Sequence, residues 1–310
     1  MLKRHAVNLF IFSFALTAGF LIARVDWIRS DDLSSCTPDS ASVRNEQQFP
    51  VLKTPELEMI EEVSYWLDEN RPQPSMKLLE IGEGFHGDEV PAEDGDEWLG
   101  LFQVDNGYAV KRTKLKIKRV HDPVIDDEEL SRTGKSVSVS SRSKPLFLVK
   151  GGESIRPGKA STFFRGLTDE VFNELQSRDI TTYNGFTSLD KDYRDSFFTD
   201  DKREYELKVL KALNPEGKRI LALSLESLGV RQILYTVRTW DEESNTDPSE
   251  WSGQVGTLFW VGDVDRDGKP DLYMELTAHE NSIWTGLFLS SEAEEGKHVK
   301  LSAEFVITGC

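Results

Sequence analysis

Short apolar segments of period two, punctuated by turn residues, recur from Lys77 to the C-terminus and constrain this chain to a β architecture. Alternation sends successive side chains to opposite faces, which suits a half-buried strand and not a helix of period about 3.6. The pattern predicts strands at Leu78–Ile81, Glu97–Val104, Tyr108–Val120, Ser136–Ser140, Leu146–Val149 and Ser161–Phe164. It predicts further strands at 204–211, 218–225, 231–240, 256–261, 271–277, 283–289 and 299–308. Asp105-Asn106-Gly107 joins two of them and is a hairpin signal. Such spacing implies a mainly β fold, an antiparallel meander or sandwich-like sheet. Two short helices are also expected. Over 55–68, Thr54 caps, Pro55 suits the first helical position, and Leu57, Ile60, Val63 and Leu67 share a face. Over Thr168–Gln176, Val171, Phe172 and Leu175 do the same. The acidic, Gly-containing stretch after Ile81 up to about Asp94, and the Asp- and Tyr-rich residues 180–204, read as loops.

Between the strands at 256–261 and 271–277 lies Gly262–Glu275, G-D-V-D-R-D-G-K-P-D-L-Y-M-E. Asp263, Asp265 and Asp267 alternate, so a loop that curls back brings their carboxylates inward around a hard cation. Gly268 supplies the positive-φ turn, the backbone carbonyl of Lys269 is the next ligand expected, and Asp271 is placed to close the shell. An all-oxygen, carboxylate-rich set favours Ca²⁺ over zinc or copper. The loop is not an EF-hand. Counting from Asp263, the twelfth position holds Met274 where that loop needs a bidentate Glu, and the eighth holds Pro270. A solvated acidic turn is the alternative reading.

Asp-x-Asp-x-Asp-Gly-x-x-Asp between two strands resembles the calcium loop of FG-GAP and VCBS repeats, found in integrin α-subunit propellers and many bacterial surface proteins. The resemblance covers about a dozen residues of the 310 and implies Asp263, Asp265, Asp267 and Asp271 as ligands. It also implies a binding or adhesion role. No second copy of the loop occurs, so a multi-blade propeller is not expected.

A net charge of −17 excludes nucleic acid as a main partner, since phosphate recognition relies on clustered Lys and Arg. At the N-terminus, Lys3, Arg4 and His5 precede the apolar run Ala6–Ala23, which reads as a signal peptide or an uncleaved signal anchor over 1–29. A polar linker over 30–53 follows, then a β-rich region over 54–200 with its leading helix, then a C-terminal β region over 201–310 that carries the loop. The expected location is the periplasm, the cell envelope or the exterior. Contact with a membrane is expected only through the N-terminal segment. The cysteines, Cys36 and Cys310, are able to pair in an oxidising compartment, and sequence leaves their pairing open. Leu33-Ser34-Ser35-Cys36 is not read as a lipidation box, because charged residues separate it from the apolar run.

Other candidate sites carry less. Gly151–Lys159 lacks the glycine spacing and the Ser or Thr of a phosphate loop and reads as a turn. His279 and Glu280, just past the strand leaving the calcium loop, suit an acid–base pair or a polar hairpin turn. His86 and Asp88 suit a weak second cation site or a solvated loop. Lys114, Lys116 and Lys118 share one strand face, which fits an anionic lipid or glycan, or else the guarded face of an edge strand. No esterase elbow appears, and neither cysteine sits where a nucleophile is easily preorganised. The functional expectation is an exported calcium-binding protein with an envelope protein or glycan as partner. The alternative is an envelope hydrolase with a structural Ca²⁺ site.

Overall fold

A computed structural model describes residues 57–63, 73–127, 130–163, 187–239, 254–276 and 282–308, and among these no residue is helical. The strands in chain order are β1 (Glu58–Met59), β2 (Met76–Leu79), β3 (Gly82–Phe85), β4 (Glu97–Val104), β5 (Gly107–Val120), β6 (Gly134–Val139), β7 (Pro145–Lys150) and β8 (Gly158–Thr162). They continue with β9 (Thr187–Asp190), β10 (Arg194–Phe198), β11 (Glu204–Leu213), β12 (Arg219–Ser227), β13 (Val230–Arg238), β14 (Gln254–Asp263), β15 (Asp271–Glu275), β16 (Ser282–Leu289) and β17 (Lys300–Thr308). The described residues all lie in one contact unit, Lys53–Cys310.

The strands β5, β4, β7, β2, β17, β16, β15, β14 and β8 are successive hydrogen-bonded neighbours. β8 pairs back onto β5 through Tyr108 with Ala160 and Val110 with Gly158, which closes the sheet into a barrel. Closure removes the open edges that an antiparallel sheet would otherwise present. β5 serves two sheets. Its first half, Gly107–Lys114, pairs with β4, and its second half, Leu115–Val120, pairs with β6, beyond which lies β3. A second sheet, β1-β11-β12-β13 with β10 also on β11, forms a half-barrel. Apart from β1 with β11 and β2 with β17, the described pairings are antiparallel. The expected antiparallel β class therefore holds, and the architecture is not a propeller.

The core explains why β14 to β16 read as nearly continuous apolar runs. Phe259, Tyr273 and Leu287 join Trp98 and Phe147 in the cluster drawn from the barrel strands. Leu258, Leu272, Met274, Trp284 and Phe288 join Leu223 and Tyr235 in a second cluster shared with β12 and β13. Strands buried on both faces lose the polar half of the alternation. Full burial of each large apolar side chain contributes about 1.5–3 kcal/mol relative to exposure, so this doubly covered wall is a rigid support for whatever its loops carry.

Three local expectations are corrected. The segment Leu57–Val63 is extended where a helix over 55–68 was expected, and the rest of that span lies outside the described residues. Glu58 and Met59 pair with Ala212 and Leu213, Ile60 N donates to Leu213 O at 2.8 Å, and Val63 N donates to Thr236 Oγ1 at 3.0 Å. The free side of β11 and, for Val63, Thr236 of β13 satisfy these backbone groups, and that tertiary gain overrides a weak helical propensity. Gly82–Phe85, expected as loop, is a strand anchored by Phe85, which meets Phe305 edge to face at 5.5 Å. Within 180–204, β9 and β10 replace the expected loop, because Phe197 is buried and stacks on Tyr205 at 5.7 Å. The helix expected over Thr168–Gln176 lies outside the described residues. The hairpin at Asp105-Asn106-Gly107 is present, with Gly107 at φ +109°.

Candidate metal site

The loop from β14 to β15 begins where the barrel wall ends. Gly262 pairs with Asp271 as the last rung, so Asp263 leaves one strand as Asp271 enters the other. Gly268 turns the chain at φ +83°, as its position predicts, and Arg266 also adopts a positive φ of 68°. One carboxylate oxygen from each of Asp263, Asp265 and Asp267 lies within 4.8 Å of the others. A hard cation bound at about 2.3–2.6 Å fits between oxygens separated by up to roughly twice that distance. Among the described residues this is the group of three metal-capable side chains.

Each carboxylate has a distinct task. Asp263 is buried and organises the loop: Oδ1 accepts the amides of Arg266 at 2.6 Å and Asp267 at 3.0 Å, and Oδ2 accepts that of Gly268 at 2.9 Å. Asp265 accepts the Ser291 hydroxyl and, at 3.3 Å, the Asp267 amide. Asp267 is exposed and accepts the Lys269 amide at 2.8 Å and the Ser290 hydroxyl at 3.0 Å. Asp271 is fully buried, taking Val264 N at 2.8 Å on one oxygen and Ser290 N at 2.9 Å on the other. Every carboxylate oxygen has two lone pairs, so an amide on one leaves capacity for a cation on the other. Lys269 sits on the exposed arc of the loop.

The electrostatics favour a counter-ion. Burial pushes the Asp265 carboxyl up, and the neighbouring charges of Asp267 and Asp263 add to that. Burial pushes Asp271 well above the usual carboxylate range, with Asp265 and Asp267 adding repulsion. Two serines complete the site and were not anticipated from the sequence. Ser290 bridges Asp267 and Asp271, and Ser291 holds Asp265. The signal for them lies in strand pairing: Leu272 opposite Phe288 brings the end of β16 alongside the start of β15.

The remaining candidates separate clearly. His279, Glu280, Cys36, Cys310 and the apolar run at the N-terminus lie outside the described residues. No helix among the described residues is long and apolar enough to cross a membrane. Gly151 and Gly152 adopt φ +99° and +72° in the turn after β7, and Gly158 opens β8. His86 finds Asp122 as its partner, not Asp88, with Nδ1 at 2.6 Å from a buried carboxylate. Glu89 accepts the His86 amide at 2.8 Å and the Thr308 amide at 2.6 Å, tying the same loop to β17.

The His86–Asp122 pair makes stability depend on pH in a definite direction. The hydrogen bond to Asp122 is the main cause that raises the imidazole above its ordinary 6.5, and the same bond lowers Asp122 below 3.8. A raised histidine contributes fully below its unfolded value, and the contribution is lost as pH rises through the folded value. The lowered aspartate contributes above its unfolded value and loses that on acidification. The melting temperature is therefore expected to decline as pH is raised from about 6.5, in thermal melts of parent and His86→Gln, with the decline flattened in the variant. Identical slopes in the two proteins would remove the pair as the cause.

No protein-family model, curated protein or solved structure matches the chain.

Proposed function

We propose that this is an exported, calcium-stapled β-barrel protein with a binding or adhesion role at the cell envelope. The observation that carries the reading is the convergence of Asp263, Asp265 and Asp267 at the mouth of a doubly buried strand pair. Calcium is the cation favoured by a flexible set of carboxylate oxygens without nitrogen or sulfur. It would neutralise side chains that burial and mutual repulsion otherwise disfavour in the charged state, with Asp271 and the Lys269 carbonyl as further donors. The basic start and apolar run at the N-terminus support export, to a compartment where free calcium is plentiful.

The staple is modest. Extracellular modules bind calcium at roughly 10⁻⁴–10⁻³ M, so about 1 mM of the ion stabilises by about 0.4–1.4 kcal/mol. That orders a loop and leaves the fold itself to the two apolar clusters. The test is calorimetric titration with calcium, beside melts of parent and Asp265→Ala in calcium and in chelator. One saturable site is expected, lost in the variant, and a melting difference confined to the calcium buffer. Equal melting differences in both buffers would mean a solvated turn and would overturn the reading.

A further inference from the structure

The segment Leu57–Val63 is a strap across the half-barrel, and its contacts outline a groove. Ile60 N donates to Leu213 O on the outer side of β11, and Thr236 N on the outer side of β13 donates to Val63 O, each at 2.8 Å. On a flat sheet those two positions would be four strand spacings apart, roughly 19 Å. Three residues of extended chain span only about 10 Å. The sheet β11-β12-β13 is therefore concave beneath the strap. Between the two anchors Ile60 is buried against Ala212, Ile220 and Ala222. Glu58 accepts Arg231 at 2.7 Å, and Glu62 accepts Arg238 Nε at 3.3 Å together with the side-chain amide of Asn214.

The groove does not depend on its occupant for its walls. β11 pairs with β12 from Glu206 to Leu213, and β12 pairs with β13 from Ile220 to Ser227. The opposite face of these strands, through Leu207, Leu223 and Leu225, is packed into the second apolar cluster. The strap, by contrast, is lightly held. Of its seven residues Ile60 alone is buried, Met59 faces solvent, and the ion pairs with Arg231 and Arg238 are partly exposed. Exposed ion pairs contribute little to stability, so a preformed groove is covered by a segment with few contacts to lose.

We propose that the concave face of the half-barrel is a binding site for an extended peptide, which the strap occupies in cis as a built-in competitor. The occupant defines the ligand class. It is a β-branched aliphatic residue with glutamate two positions before and two positions after, as in Glu58-Met59-Ile60-Glu61-Glu62. Bonds between the peptide backbone and the strand edges supply affinity, and the apolar floor and the two arginines supply selection. The charge of −17 does not bar an acidic ligand here, because Glu58 and Glu62 are already seated on Arg231 and Arg238. The attached strap acts at high effective concentration, so a free peptide competes poorly until the strap is released. The inference gives a partner chemistry to the binding role proposed above and rests on that reading for its biological sense, while the groove shares no residue with the calcium loop.

The experiment follows a fluorescent peptide of residues 55–65 titrated onto the full chain by anisotropy, with a scrambled peptide in parallel. Ile60→Asp places a charge where the strap meets the apolar floor, and this variant should bind the native peptide at least tenfold more tightly than the parent does. Adding Arg238→Glu should cost at least tenfold of that binding, and a peptide carrying Glu62→Arg should regain it, which locates the peptide in the groove. Glu58→Arg with Glu62→Arg opens the strap by repulsion, leaves the floor intact, and should admit the native peptide likewise. Both opened chains should still unfold cooperatively. The strap is a fixed part of the sheet, and the inference is overturned, if neither opened chain folds or if neither binds the peptide. Binding by the parent as tight as theirs, or equal binding of the scrambled peptide, would overturn it too. Calcium titration keeps the two readings apart: the opened chains should take calcium as the parent does. A parent that binds no calcium while its strap still excludes the peptide would overturn only the calcium reading.

Discussion

Asp271→Ala is expected to lower the unfolding free energy by about 2–6 kcal/mol, because it strands two buried backbone amides that each cost about 1–3 kcal/mol without an acceptor. Val264 N at 2.8 Å and Ser290 N at 2.9 Å both depend on this one carboxylate, and the Ser290 hydroxyl shares it at 3.1 Å. The site is fully buried, so water does not replace the lost acceptor. Urea unfolding should show the deficit in chelator, and a somewhat larger one in calcium, where Asp271 is also a metal donor. This separates Asp271 from Asp265, whose loss should register only when the metal is present. Asp271→Asn should fall between parent and alanine, since one carboxamide oxygen still accepts one amide. A deficit for Asp271→Ala that appears only in calcium would make this residue a ligand first and a loop anchor second.

The contrast between these two aspartates shows what the sequence conveyed and what it did not. The spacing of Asp263, Asp265 and Asp267 with Gly268 was sufficient to predict convergence, because a loop's side-chain alternation is local geometry. Division of labour among the carboxylates was not legible. It depends on Ser290 and Ser291, which arrive from another strand, and on which amides turn inward. The same holds for the fold. The strands β4, β5, β7 and β11 to β17 announce themselves through period-two patterns or apolar runs between turns. Closure of the barrel does not, because β8 meets β5 through Tyr108–Val110 and Gly158–Ala160, a contact too short and too Gly- and Ala-rich to leave a periodic trace. Leu57–Val63 failed for a related reason. Leu57, Ile60 and Val63 fit a helical face, and only the unoccupied side of β11, absent from any local window, decides for an extended chain.

Gly262→Ala is expected to cost about 3 kcal/mol, at the upper end of ordinary overpacking, and to weaken calcium binding with it. A Cβ at Gly262 would lie 2.1 Å from Ser161 O and 2.2 Å from the Trp260 ring. The first is backbone across the seam where Gly262 pairs with Thr162 and Asp263 with Ser161. The second is a fully buried indole. Neither yields cheaply, so β14 and β8 must part at the position that aims Asp263 at the other carboxylates. Gly268→Ala is the internal comparison. Its φ of +83° makes alanine strained by about 1–2 kcal/mol, yet a Cβ there meets nothing within 4 Å. Melting and calcium titration of the two variants should therefore rank Gly262→Ala as the more damaging to the fold, although Gly268 is the glycine inside the acidic motif. The reverse ranking would mean that the seam between β14 and β8 tolerates separation, and that the loop's own conformation, not the barrel wall behind it, sets the geometry of the site.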